Sequence, residues 1–192
     1  MIKRIQTKQD RERRSKRNNW ILAGVLIFVM FGSVFGIVVN SFGAGTQSES
    51  MTYNGFIFIN ENGAYSTQVG SARFYFSNNP KDTDKLSKEV SLFKTLSEYS
   101  GTVYISSEDY PSFVEIQGNL YPYADVVQAC KEGEPCTDET LPKKTCLDNM
   151  ILIKVSEENK IYESSNCVYI EGKERDLLKL TDEFLLRIIG IK

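Results

Sequence analysis

The chain has 192 residues, of which 41% are hydrophobic and 25% charged, enough for one folded domain plus an appendage and too apolar for a disordered chain. It contains no histidine, which removes histidine-based triads, histidine general bases and the usual zinc hydrolase sites. Its net charge of −2 conceals an asymmetry: residues 1–19 carry eight basic residues against two acidic, a net of +6, while the remainder has 15 basic and 23 acidic, a net of −8.

The two parts are separated by WILAGVLIFVMFGSVFGIVV, Trp20 to Val39, which has no charged residue. As a helix this run would extend roughly 30 Å, the thickness of a bilayer's hydrocarbon. The basic head before it predicts a single-pass transmembrane helix over 20–40, with a cytoplasmic N-terminus and an extracytoplasmic C-terminal domain. The lipid bilayer is thus the first expected partner, and the head serves topology and headgroup contact rather than nucleic acid. A cleaved signal peptide would have a shorter apolar region, so an uncleaved signal-anchor is expected, with Ser41-Phe42-Gly43 as the alternative cleavage site. Gly32 and Gly36 form a G-x-x-x-G, a helix-packing motif through which two spans could make a homodimer.

Residues 41–50 are small and polar, the composition of a flexible linker, and the folded domain is expected over 51–192. Its first part predicts an antiparallel meander: a strand from Tyr53 to Ile59, the turn Asn60-Glu61-Asn62-Gly63, a strand from Ala64 to Val69, the turn Gly70-Ser71, and a strand from Ala72 to Phe76. The three- and four-residue spacing of Leu86, Val90, Phe93 and Leu96 predicts an amphipathic helix over about 84–97. A buried strand follows at Thr102 to Ile105. Ser107-Glu108-Asp109 before Pro111 predicts a helix from Ser112 to about Tyr121, and Ala124 to Ala129 is expected to be a strand.

Met150 to Val155, the polar turn 156–159 and Lys160 to Ile170 predict a hairpin. The last segment, Lys173 to Ile189, carries Leu177, Leu178, Thr181, Phe184, Leu185 and Ile188 on one stripe and stops at Gly190. The expected fold class is α+β: a single transmembrane helix, then a domain with a strand meander, two to three helices and two disulfides.

All four cysteines, Cys130, Cys136, Cys146 and Cys167, fall in the translocated part, where disulfides form and persist. Their spacings lack the close pairs of zinc ribbons, and the stretch between Cys130 and Cys136, with Gly133 and Pro135, is not a thioredoxin-type active site. Of the three pairings that four cysteines permit, Cys130 with Cys136 and Cys146 with Cys167 is favoured. Asp82-Thr83-Asp84 lacks the later ligands and the glycine of a calcium loop, so it reads as a solvated helix start. Glu157-Glu158 and the acidic residues from Glu132 to Glu139 read as exposed turns. No metal, cofactor-binding or catalytic site is recognised.

The layout also carries a resemblance. The basic head and single span, Ala129-Cys130, Leu141-Pro142 through Cys146, Asn166-Cys167 through Gly172, and the closing Ile188-Ile189-Gly190-Ile191 are similar to an uncharacterised family of small single-pass, cysteine-containing membrane-anchored archaeal proteins. The resemblance covers nearly all of 20–191. It implies the two-disulfide layout and carries over no activity. Two functional readings follow: an anchored binding module or subunit of an envelope assembly, partnered by other membrane or envelope proteins, or a membrane-tethered enzyme, with thiol-disulfide exchange as its first candidate chemistry.

Overall fold

The structure, a computed structural model, describes residues 20–30, 49–136 and 138–192. The chain divides into two compact units, Met1–Gln47 and Ser48–Lys192. In the first, residues 20–30 form a helix, α1, whose large side chains are all exposed, from 57% at Val25 to 82% at Trp20. Among the described residues no helix is long and apolar enough to cross a membrane. The rest of the expected span, Gly32 and Gly36 included, lies outside the described residues, as do the basic head and the linker over 41–48.

The second unit begins with a four-stranded antiparallel meander: β1 (Glu49–Tyr53), β2 (Phe56–Glu61), β3 (Ala64–Val69) and β4 (Ala72–Phe76), paired in chain order. The expected linker therefore ends two residues early, at Glu49. The expected strand from Tyr53 to Ile59 is two strands, because Asn54 and Gly55 (φ 47° and 85°) make a tight hairpin turn inside it. Asn-Gly is the residue pair that such a turn demands, since both central positions need positive φ.

The larger sheet has six strands in the order β5-β11-β12-β10-β6-β7. Strand β6 (Gly101–Ser107) runs through helix α2 (Tyr110–Leu120) to β7 (Ala124–Gln128), which lies parallel beside it. Asp109 caps α2 by accepting from the Ser112 N–H at 3.0 Å, and Pro111 sits in the first turn, where no N–H is needed. On the other side of β6 lies β10 (Met150–Val155), also parallel. The expected hairpin between 150–155 and 160–170 is not formed. The chain turns instead at Ser165 (φ 55°), so β11 (Lys160–Ser164) pairs with β12 (Cys167–Gly172), and β12 inserts parallel to β10. Burial decides this order. Strands β10 and β12 are the apolar ones and take the centre, while the more polar β11 goes outward.

The helix expected over 84–97 is also absent. That stretch holds a short strand, β5 (Glu89–Ser91), and a single 3-10 turn at Leu96–Glu98. Lys85 adopts φ 60°, outside the helical region. The backbone of the segment bonds elsewhere: Val90 and Ser91 pair with β11, the Lys88 N–H donates to the Asn159 carbonyl at 2.9 Å, and the Glu163 carboxylate accepts from the Phe93 and Lys94 N–H groups. An open sheet edge outcompeted a weak helical periodicity, and Phe93, counted on the apolar face, is left 81% exposed.

The final helix, α3 (Leu177–Ile188), is entered through a 3-10 turn at Glu174–Asp176. Residues 180–186 are all buried, so α3 is covered on every side rather than along one stripe. The six-stranded sheet covers one side with Ile151, Ile153, Ile161, Val168 and Ile170, and the meander covers the other with Tyr53, Phe58, Phe74 and Phe76. The two helices thus form a middle layer. Close packing is tightest at Gly172, where an added Cβ would run into Leu180 Cδ1 and lie 2.7 Å from Asn159 Oδ1. Gly172→Ala is expected to cost about 1–3 kcal/mol by overpacking. Urea unfolding of the variant checks this, and an unchanged midpoint would show that the contact yields.

Candidate functional site

Among the described residues no helix lies over the second face of the six-stranded sheet. Met150, Leu152 and Cys167 form a small second core there with Ala129, and the segment from Ala129 to Asn149 roofs it. Within that roof β8 (Cys130–Lys131) and β9 (Lys143–Lys144) make one short parallel pairing. So little regular structure could not hold the roof down by itself. The cysteines do so: Cys130 lies at disulfide distance from Cys136 (Cα separation 5.7 Å) and Cys146 from Cys167 (5.0 Å). These are the two pairs favoured from the sequence. The first closes a small loop within the roof, and the second ties the roof to the central strand β12.

Where the roof meets the sheet there is a cleft of about 390 Å³ at the carboxyl ends of β6, β7 and β10. Its polar lining is Ser106, Ser107, Glu108, Gln128, Glu134 and Lys154, its floor includes Ile153, and the Cys130–Cys136 pair stands in its wall. The position has a topological cause. The chain leaves β6 toward β7 on one side, and leaves β10 toward β11 and β12 on the other. Neighbouring parallel strands whose connections diverge leave a crevice at their carboxyl ends, where open α/β sheets bind ligands.

The cleft's charges are already balanced. Glu134 accepts from Lys131 at 2.6 Å and pairs with Lys154 through its other oxygen. Burial pushes the Glu134 carboxyl up, but the hydrogen bonds from Lys131 and Lys154 outweigh it and hold it below the ordinary carboxylate range. The same hydrogen bond, donated by Lys131 to Glu134, raises the Lys131 ammonium. Glu108 accepts from the Val155 N–H at 2.7 Å. Ser107 Oγ donates to the Asp109 carbonyl at 2.6 Å, so no base activates it, and among the described residues no side chain bonds to Ser106. Behind the roof the two lysines reach over the Tyr169 ring, at 5.3 and 5.7 Å from its centroid, and Tyr169 stacks on Tyr162 with centroids 4.8 Å apart. Lys144 lies 4.1 Å from the Tyr104 centroid. Cationic tips over aromatic faces close the roof onto the sheet.

The acidic stretch from Glu132 to Glu139 is therefore not uniformly an exposed turn, because Glu134 is a half-buried bridge within it. Sequence reasoning missed Glu108, Gln128 and Lys154, since strand ends that converge only through topology leave no local pattern. It also missed two carboxylates on α3, Asp182 and Glu183, which are 0% and 1% exposed. Asp84, by contrast, accepts from the Tyr53 hydroxyl at 2.5 Å and serves an internal network rather than a calcium loop.

The comparisons with known proteins add no likeness: no family profile matches the chain, no curated protein matches it, and no solved structure matches it. Nothing in them bears on the resemblance to the archaeal family.

Proposed function

We propose that this is a single-pass membrane protein, anchored by 20–40 with its N-terminus in the cytoplasm. Its disulfide-stapled outer domain acts as a binding module or subunit of an envelope assembly. The cleft carries this reading. It is preformed at the carboxyl ends of parallel strands and offers hydroxyl, amide and carboxylate groups over an apolar floor. Glu134 and Lys154 are already paired, Glu108 is held by the Val155 N–H, and neither serine bonds to a side-chain base among the described residues, an arrangement suited to holding a ligand rather than transforming one. Two further features support the anchor: α1 is apolar on every side, as a bilayer requires, and four cysteines in two pairs suit an oxidising compartment.

The test uses the full chain in its own membranes, with a photo-crosslinking residue in place of Gln128 in the cleft or of half-buried Lys179, which does not line the cleft, as control. One discrete adduct from position 128 and none from 179 is expected, together with digestion of the C-terminal domain by protease added from outside. Equal labelling at both positions would remove the cleft from the reading, and full protection of the domain would reverse the topology.

One observation favours a second reading. Cys130 and Cys136 line the cleft, whereas Cys146 and Cys167 do not, so thiol-disulfide exchange would run through the Cys130–Cys136 pair. Insulin reduction catalysed by the purified chain would establish it. The binding reading expects no turnover and no thiols trapped without denaturant.

A further inference from the structure

The outer edge of β4 is closed by side chains of the helices rather than by another strand. The Tyr75 N–H donates to Asn119 Oδ1 at 2.8 Å, and Asn119 Nδ2 donates back to the Tyr75 carbonyl at 2.8 Å. One step on, the Ser77 N–H donates to Glu115 Oε1 at 2.7 Å and its hydroxyl to Oε2 at 2.7 Å. The Asn78 N–H and Nδ2 both donate to Asp182 Oδ2 at 2.9 Å. Asn119 and Glu115 come from α2 and Asp182 from α3, so a run of side chains docks the meander onto the helical layer.

Asp182 is at odds with an ionised carboxylate. It is 0% exposed, both its donors go to Oδ2, and Oδ1 is buried with no partner among the described residues. An ionised group with an unbonded oxygen in such a place would cost several kcal/mol. A carboxyl that keeps its proton there carries no charge to desolvate, while Oδ2 still accepts from Asn78. We infer that Asp182 keeps its proton in the folded domain, and that this proton latches the meander to the helices.

The electrostatics agree with the geometry. Burial first, then the neighbouring Glu115 charge and the hydrogen bond to it, push the Asp182 carboxyl up to about 9, against the Asn78 donors that pull it down. No cation offsets this: none of the ion pairs among the described residues includes Asp182 or Glu115. From α2 the facing group is Glu115. From the segment after β4 they are Ser77 and Asn78, which are uncharged; Lys81 and Asp82 of the 3-10 turn at Pro80–Thr83 are exposed, and Lys179, three residues before Asp182 on α3, forms no ion pair with it. The sheet presents buried isoleucine and valine. On α3 itself, Glu183 is engaged by Ser87, Arg187 and Lys192.

The sign is opposite to that of an ordinary salt-bridged aspartate. The folded group keeps its proton to a higher pH than the unfolded one, so between roughly pH 4 and 9 the native state binds one proton more. The latch is complete below that window, weakens as pH rises through it and is spent above it. Linkage of one proton changes the opening constant by up to about tenfold per pH unit.

Hydrogen exchange on the full chain between pH 6 and 9.5 tests this, read as protection factors so that base catalysis of exchange is divided out. Protection of the Tyr75, Ser77 and Asn78 amides is expected to fall up to about tenfold per unit and to level off past pH 9. Asp182→Asn supplies a permanent donor in place of the acid proton, so it should keep the protection seen at pH 6 and lose the pH dependence. The wild-type slope in that variant would overturn the latch. If Asp182→Asn does not fold, Glu115→Gln decides: removing the neighbouring charge should bring the fall to lower pH, and an unmoved profile would overturn the proposal.

Discussion

Replacing Arg187 with methionine should lower the unfolding free energy by about 3 kcal/mol, the lower end of what breaking one side of a buried ion pair costs. Glu183 is 1% exposed, and its Oε1 accepts from Arg187 at 2.7 Å, Ser87 at 2.9 Å and Lys192 at 3.2 Å. Its Oε2 is buried without a partner among the described residues, so the carboxylate depends on what reaches Oε1. Without Arg187, only Lys192 and a hydroxyl would face a desolvated charge. Lys192 limits the loss, and it is itself held by the Thr83 carbonyl at 2.6 Å and by Asp84 at 3.4 Å. Asp84 in turn receives the Tyr53 hydroxyl, whose pKa is pushed up to about 12, first by burial and then by that hydrogen bond. The network therefore joins α3, the loop after the meander and β1. Because the penalty comes from the orphaned carboxylate, Glu183→Leu combined with Arg187→Met should recover most of the loss. Urea titrations of the single and double variants decide it. A single variant costing under about 1 kcal/mol, or a double worse than the single, would refute this account.

The second large effect is expected at the cysteines. Cys146→Ser with Cys167→Ser opens a loop 21 residues apart in sequence and should cost about 3 kcal/mol from chain entropy alone. Cys167 is fully buried in the small second core, so serine adds the burial of an unmatched hydroxyl. Cys130→Ser with Cys136→Ser opens a loop of separation 6 in the exposed roof and should cost about 2 kcal/mol or less. Denaturant unfolding of the two double variants, under oxidising conditions, gives the comparison. Equal losses would mean that the Cys146–Cys167 pair does not anchor the roof to the sheet. Under the proposed binding reading the functional consequence is separable, since the smaller pair stands in the cleft wall and its loss should perturb the cleft more than global stability.

Several elements were readable because their cause is local. Asn62-Gly63 set one turn, Asp109 and Pro111 opened α2, Gly190 at φ 78° ended α3, and the unbroken apolar run of β10 marked a central strand. Other local signals were present and misread: Asn54-Gly55 is as strong a hairpin signal as Asn62-Gly63, and Ser164-Ser165-Asn166 lies inside what looked like one strand. The failed helix over 84–97 is of another kind. Its spacing was genuine, but the edge of β11 and the Glu163 carboxylate satisfied its backbone instead, and no pattern within the segment announces a partner more than seventy residues away.

By itself, the sequence determined the charge asymmetry about an uncharged apolar run, the even cysteine set, the α+β class and most of the strands and helices, because each depends on composition or on neighbours within a few residues. The tertiary structure alone decided that β12 inserts beside β10, that α3 is enclosed by two sheets, and that the carboxyl ends of β6, β7 and β10 meet under a stapled roof. It also decided which acidic residues matter. Glu134, Asp182 and Glu183 are ordinary letters in a polar loop and a helix, and become a bridge, a proton store and an ionic anchor only when distant segments remove water from around them.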